Sequence, residues 1–468
     1  MGMGHGRRRW AIGLVASVAL VVACAPGVGI THAGPRGAGA SEVRDYVSNV
    51  AAEERVPGYA VAVTGRDGRD LFVATGGRDG DDRPVDEDTP FLIGSVAKSM
   101  TATLIAQRVA RGEVRLTDRI GTHLPWLRAG DPTVEELLTH TGGYTAADGL
   151  AVAERFDNSP GAVRRAAQDL DHSGTVGRYA YSDANYLVLG ALVEALAGRP
   201  FAQVLRSDLL EPLGMRHTGA AASDAAGLPP GHRFWWGHPR GYAPGFDESG
   251  GPFGYVVSTL GDMQRWARTQ SGRAPGVLDP SILAALHQPR VRSGDDDYAY
   301  GWRVSRGAVP QTIQHTGATP GYFAHVLMTS DGRDVVVLMN AYGEAEAPVL
   351  ASIAPNLLRV LDGQQTVSER GDIVLSSAPW VAAVAGLLGV AMIGLAWSRP
   401  RRRGVRIGLA VVAGIVCAAA ASIPVVLGSA YRTVWIWAPD LAAALIVTVA
   451  AWAVAAAVLL LRHGNRPI

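Results

Sequence analysis

Apolar residues along this chain follow three patterns, each predicting a different kind of element. In residues 7 to 25 a run of Trp, Ala, Ile, Leu and Val follows Arg7, Arg8 and Arg9. A basic start with an apolar stretch too short to span a bilayer comfortably reads as an export segment, residues 1 to 33. At the other end, segments at about 378 to 397, 406 to 427 and 441 to 461 are apolar for close to the roughly 20 residues a helix needs to cross a hydrocarbon core. Between these ends the pattern alternates. Gly58 to Thr64 and Asp70 to Thr75 read as strands joined at Asp67-Gly68. Tyr300 to Val304, Thr312 to His315, Tyr322 to Met328 and Val335 to Met339 read as strands late in the chain. Helical spacing marks Ser41 to Glu54 with Ser41 as its cap, a helical, loop-rich block from Ser95 to about Gln270, and Ala347 to Leu361. Two early strands and several late ones predict one antiparallel sheet split in sequence, flanked by helices and carrying an all-α insertion.

This pattern divides the chain into a Gly- and Pro-rich tether at 26 to 40, one domain at 41 to 362, a stalk at 363 to 377 and three transmembrane helices at 378 to 461. Charge sets the expected topology. Arg399, Arg401, Arg402, Arg403 and Arg406 crowd the first inter-helix loop, the 428 to 440 loop holds only Arg432, and Arg462 and Arg466 end the chain. The positive-inside rule then puts that first loop and the C-terminus in the cytoplasm and the domain outside, in agreement with an export signal. Trp435 and Trp437 would sit in an interfacial aromatic belt. The formal net charge is +1, and outside the cytoplasmic run the basic residues are scattered, which argues against a nucleic-acid partner. Cys24 and Cys417 are the only cysteines, so the exported domain has no disulfide. Val21-Val-Ala-Cys24 also fits a lipidation box, an alternative to cleavage near Ala33 or an uncleaved anchor.

Of 43 basic residues 42 are arginine, and Lys98 is the single lysine. Lysine, unlike arginine, can be driven to neutrality and act as a base. Ser95 lies three residues before it at a predicted helix start, so the hydroxyl and the amine share one face. There the free N–H groups and the helix dipole favour an oxyanion. For Lys98 to take the Ser95 proton near pH 7, its pKa must fall from about 10.4 to near 7. Tyr181-Ser-Asp183 lies inside the helical block, just before an apolar helix at Leu187 to Leu196, and a phenol there can relay a proton. His315-Thr-Gly317 sits on a predicted edge strand, where a glycine lets a substrate backbone approach.

Together Ser95-x-x-Lys98, Tyr181-Ser-Asp183 and His315-Thr-Gly317 resemble the three motifs of the serine β-lactamase and penicillin-binding-protein superfamily, in its class C β-lactamase and D-alanyl-D-alanine carboxypeptidase branch. Leu137 to Gly143, Gly190, Ser258 to Met263 and Tyr300-Gly-Trp302 are similar to further landmarks of that family, and the resemblance spans about residues 41 to 362. It implies an α/β (α+β) β-lactamase-like fold and an acyl-enzyme mechanism on an amide or ester: a D-amino peptide, a β-lactam or an ester. Ser95 would be the nucleophile, Lys98 its proton acceptor or electrostatic partner, and Tyr181 the general acid/base. Ser95 and Ala318 N–H groups would form the oxyanion hole, while Asp183, His315, Thr316 and Gly317 would bind substrate. Two residues depart from the branch. Asp183 replaces its asparagine and adds a negative charge that favours protonated Lys98. His315 replaces its lysine, so anion binding is expected to weaken as pH rises through the histidine range.

The remaining histidines lack metal-ligand spacing, and neither a metal nor an organic cofactor is expected. His140 reads as a structural hydrogen-bonding residue, and Phe234-Trp235-Trp236 as core packing or the lining of the cleft mouth. The expected partners are a small-molecule or peptide substrate, cell-wall derived in one form, and the lipid bilayer. The rival reading is a non-catalytic receptor for cell-wall peptides or β-lactams that signals through its membrane helices.

Overall fold

The alternation of strand β1 (Gly58–Thr64) sorts its side chains into two cores. Tyr59, Val61 and Val63 enter one cluster, Ala60 and Ala62 the other, as a period of two requires when both faces are covered. The computed structural model describes residues 40–274, 276–398, 402–426 and 428–461. The export segment with Cys24, the tether before residue 40, Arg399, Arg401, Arg462 and Arg466 lie outside the described residues.

Seven further strands join β1: β2 (Asp70–Gly77), β3 (Val291–Ser293), β4 (Asp296–Tyr298), β5 (Arg303–Ser305), β6 (Thr312–Thr319), β7 (Tyr322–Thr329) and β8 (Asp334–Met339). Their order across the sheet is β2-β1-β8-β7-β6-β5-β4-β3, antiparallel throughout. The predicted sheet split in sequence is therefore present, because β1 pairs with β8 from the far end of the domain. Helices α1 (Ala40–Glu53), α2 (Ala97–Ala110), α3 (Asp183–Ala197), α4 (Leu260–Gln270) and α5 (Ala347–Leu361) supply the layers. Helices α1 and α5 cover the face carrying Val61, Leu327 and Val337. Helices α2, α3 and α4 belong to the core under Ala62, Val326 and Val336.

Four sequence expectations shift, the first being the all-α insertion, which carries an antiparallel hairpin of Gly231–Trp235 with His238–Tyr242. The strand expected from Tyr300 begins at Arg303, because Ala299 N–H donates to the Trp302 carbonyl (2.8 Å) and closes a turn there. The helix expected from Leu187 begins at Asp183, capped by the Ser182 hydroxyl on Ala184 N–H at 3.3 Å. β6 extends to Thr319 and is not an edge strand: it pairs with β7 along its length and with β5 at Ile313 and Gln314, which leaves the edge of residues 315 to 319 open.

Among the described residues, three helices are long and apolar enough to cross a membrane: α6 (Ile373–Ser398), α7 (Arg403–Val426) and, after the short α8 (Tyr431–Trp437), α9 (Pro439–Leu461). The stalk expected at 363 to 377 is shorter, since residues 373 to 377 already belong to α6. What remains is tied to the domain: Asn356 exchanges two hydrogen bonds with the Val367 backbone (2.8 Å each), and Asp372 N–H donates to the Ala345 carbonyl (2.7 Å).

Candidate active site

Ser95 occupies the 3₁₀ turn Gly94–Val96 that leads into α2, and the packing of two glycines fixes where that turn lies. Gly94 has φ +52°, and a Cβ on it would come within 2.3 Å of the Ala318 nitrogen. A Cβ on Gly317 would meet the Ile93 carbonyl oxygen at 2.0 Å and the Ser95 nitrogen at 2.9 Å. Only residues without side chains allow this contact. It lays the serine turn directly against the open edge of β6 and brings the backbones of Ser95 and Ala318 close together.

Lys98, one turn further, is completely buried. Its ammonium donates to Ser95 Oγ (2.8 Å) and to the Phe253 carbonyl (2.9 Å), and it pairs with Asp183 Oδ1 at 2.6 Å. Burial pulls its pKa down, but the Asp183 carboxylate and the Tyr181 phenol outweigh burial and hold it above the ordinary lysine value. This setting favours the charged ammonium over the neutral amine that a resting base needs. Of the two expected roles, the electrostatic partner fits this geometry.

Tyr181 places its ring centroid 5.0 Å from the Lys98 ammonium and packs against His140 at 4.4 Å with the rings tilted by 39°. His140 is fully buried, and its Nδ1 accepts from Ser182 N–H (3.3 Å) and lies 3.2 Å from Asn185 Nδ2. It props the tyrosine from below, the structural role its sequence context suggests. Tyr298 joins the same aromatic group and reaches His315 Nε2 with its hydroxyl at 3.3 Å. His315 Nδ1 donates to the Thr316 carbonyl at 2.6 Å. Burial, reinforced by Arg303 and Lys98, pushes the His315 pKa well below the usual histidine value. The expected titrating cation at this position is thus corrected to a neutral imidazole.

The fixed charge comes instead from Arg303 at the start of β5, a residue the motif reading missed. Its guanidinium lies 5.7 Å from the Tyr181 ring and 5.8 Å from the Tyr298 ring, and it donates to Ser293 Oγ at 2.7 Å. With 42 arginines in the chain, nothing in sequence distinguishes this one. Ser95, Tyr181, Asp183, Arg303 and His315 through Ala318 all line one cavity of about 460 Å³. Glu154 lines it too, and burial, then the Asp183 charge, raises its pKa to about 8. Phe234 and Trp236 form part of the wall and also pack against buried apolar clusters, so both expected roles hold for them, while Trp235 is not in the lining. No group of three or more His, Cys, Asp or Glu side chains converges as a metal site among the described residues. The arrangement can deliver a hydroxyl held by a buried cation to a carbonyl lying against two backbone N–H groups.

The chain belongs to the β-lactamase family, whose model, described as Beta-lactamase, matches residues 43–361. It is 30% identical over 343 residues to penicillin-binding protein 4 of Amycolatopsis lactamdurans, covering 67% of this chain and 86% of that protein. It is 28% identical over 372 residues to esterase EstB of Burkholderia gladioli, covering 66% and 93%. A solved class C β-lactamase superposes with a TM-score of 0.59 at 20% identity, covering 69% of this chain and 97% of that one, a likeness in fold. The chain is thus a serine hydrolase of β-lactamase-like fold, followed by three candidate membrane helices.

Proposed function

We propose that this chain is a membrane-tethered hydrolase that works outside the cytoplasm and passes through an acyl-Ser95 intermediate on an amide or ester. The observation that carries this reading is the 2.8 Å bond from the buried, charged Lys98 to the Ser95 hydroxyl. Ser95 Oγ attacks the carbonyl carbon while Tyr181 accepts its proton and passes its own phenolic proton to the leaving alcohol or amine. Lys98 stays charged throughout and stabilises the negative charge that builds on Ser95 and Tyr181. The Ser95 and Ala318 N–H groups hold the developing oxyanion. Water then attacks the acyl-enzyme by the reverse relay and releases the acid. Asp183 keeps Lys98 protonated, and the 315 to 317 stretch aligns the substrate along the open edge of β6. Arg303 favours a substrate with a carboxylate, consistent with likeness to a penicillin-binding protein, while likeness to an esterase supports oxygen leaving groups.

Mass spectrometry after incubation with a penicillin and with an activated ester tests the chemistry: a covalent adduct is expected on Ser95 and none in Ser95→Ala. An intact wild-type chain free of adduct with both reagents would refute the mechanism. For topology, a membrane-impermeant maleimide should label Ser368→Cys on intact cells and Arg403→Cys only after permeabilisation; the opposite pattern inverts the assignment.

A further inference from the structure

The cavity that holds Ser95 is walled on one side by the hydrolase domain and on the other by the ends of the apolar helices. Leu375, Pro379 and Trp380 of α6, Val434 and Trp437 of α8 and Leu441 of α9 line it together with Ser95 and Tyr181. Polar bonds fix this wall against the domain. Arg233 donates to the carbonyls of Trp435 (2.9 Å) and Ile436 (2.6 Å) at the end of α8. Trp236 N–H donates to Asp440 Oδ2 (2.9 Å), and Arg432 donates to the carbonyls of Ala153 and Glu154. Trp236 packs edge-on against Trp380 at 4.6 Å, and Trp235 against Trp435 at 6.4 Å. The tryptophans expected in a plain interfacial belt thus join the hydrolase domain to the helices.

The first turns of α6 also carry apolar side chains facing outward. Ile373, Val374, Trp380 and Val381 are 78%, 60%, 57% and 66% exposed. Trp380 lines the cavity and is also more than half exposed, so α6 carries apolar side chains both beside the Ser95 cavity and on the face it would present to lipid. A substrate without an apolar chain gains nothing from such a surface. A substrate with a long apolar chain does, because the chain can pass from lipid to the cavity wall without being exposed to water.

We propose that the Ser95 cavity takes its substrate from the bilayer: an ester or amide joined to a long apolar chain, with the carbonyl at Ser95 and the chain lying along Trp380 and Leu441 toward the lipid. The proposal rests on the acyl-enzyme reading above and adds the class of substrate. The carbonyl enters between Ser95 and Ala318, and the chain leaves past Pro379, where apolar groups of α6 and α9 line the cavity.

The test uses the full chain in phosphatidylcholine nanodiscs with two fluorophosphonates, one ethyl and one long-chain with a terminal diazirine. Either reagent forms a Ser95 Oγ–P bond as the P–F bond breaks, and fluoride leaves with the serine proton. The long-chain reagent, concentrated beside the site by the bilayer, should label Ser95 faster by a factor on the order of 10 or more. Photolysis should then cross-link its tail to residues 373 to 381 or 433 to 441. Labelling of Ser95 at equal rates by the two reagents, or cross-links confined to loops of the hydrolase domain remote from α6 and α9, overturns the lipid-side route while leaving the hydrolase reading intact. Failure of both reagents to label Ser95 removes the hydrolase reading, and this inference with it.

Discussion

The Lys98 ammonium and the Asp183 carboxylate form a 2.6 Å ion pair in which the lysine is entirely buried and the aspartate about a quarter exposed. Because Asp183 raises the Lys98 pKa, the lysine is charged below its ordinary value and loses its proton only as pH climbs above it. Asp183→Asn removes the main opposing charge, leaves burial dominant and shifts the Lys98 pKa downward. The alkaline fall in single-turnover acylation should therefore move to lower pH in Asp183→Asn. A limb that stays in place would mean that Lys98 ionisation does not govern acylation.

Lys98→Met keeps the length of the side chain and deletes its charge. Acylation should fall by a factor on the order of 10² to 10⁴, the range of a single positioned donor or acid/base group. Stopped-flow acylation measures it, and a loss under about tenfold would assign the electrostatic role elsewhere.

Arg303 carries the permanent positive charge near the cavity, whereas His315 is held neutral by burial. Arg303→Gln should raise KM for substrates bearing a carboxylate by a factor on the order of 10 to 100, the worth of one charge-assisted hydrogen bond, and change neutral esters much less. In the wild type the ratio of anionic to neutral KM should stay flat from about pH 5 to 6, below the raised pKa values of the wall carboxyls Glu154 (about 8), Glu344 (about 7) and Glu346 (about 7), since neither Arg303 nor His315 titrates there. A ratio that rises through that range would return the role to His315.

Glu154 is buried in the cavity wall with a pKa raised to about 8. A carboxyl whose folded pKa lies above its unfolded value near 4.3 contributes stability that is complete below that value and is lost as pH rises to the folded pKa. Denaturant stability should accordingly fall between about pH 4 and 8, by several kcal/mol at most. Glu154→Gln should flatten this slope. Parallel pH profiles for the two proteins would show that Glu154 is ionised in the folded state.

Gly317→Val would drive a side chain into the Ile93 carbonyl and push β6 away from the Ser95 turn. Overpacking of this kind costs about 1 to 3 kcal/mol or more, and the separation of the Ser95 and Ala318 N–H groups should lower acylation by about 10² or more. Circular dichroism melting and acylation rates on the same preparation separate the two effects. A folded Val variant at wild-type rate would remove Ala318 from the oxyanion hole.

Local chemistry made much of this protein legible from its sequence. Periodicity located six of the eight strands of the main sheet and the three long apolar helices, because period-two and fully apolar runs reflect what each element must bury, but it missed the three-residue strands β3 and β4, too short to show a period. The Ser95-x-x-Lys98 spacing put a hydroxyl and an amine on one helical face, and that pair is present. The charge states needed the tertiary structure, since each pKa is set by groups distant in sequence: Asp183 and Tyr181 hold Lys98 charged, and Arg303 and Lys98 help keep His315 neutral. Arg303 was hidden among many arginines, and only the fold of β5 beside β6 brings it to the cavity. The wall made by α6, α8 and α9 was equally invisible, because hydrophobicity shows that a helix is apolar but not which domain surface its end meets. Sequence determined which residues are capable of chemistry, through the intrinsic properties of side chains and helical spacing. The tertiary structure decided which of them stand together and which surfaces wall the cavity, because burial and Coulomb interactions depend on distance in space.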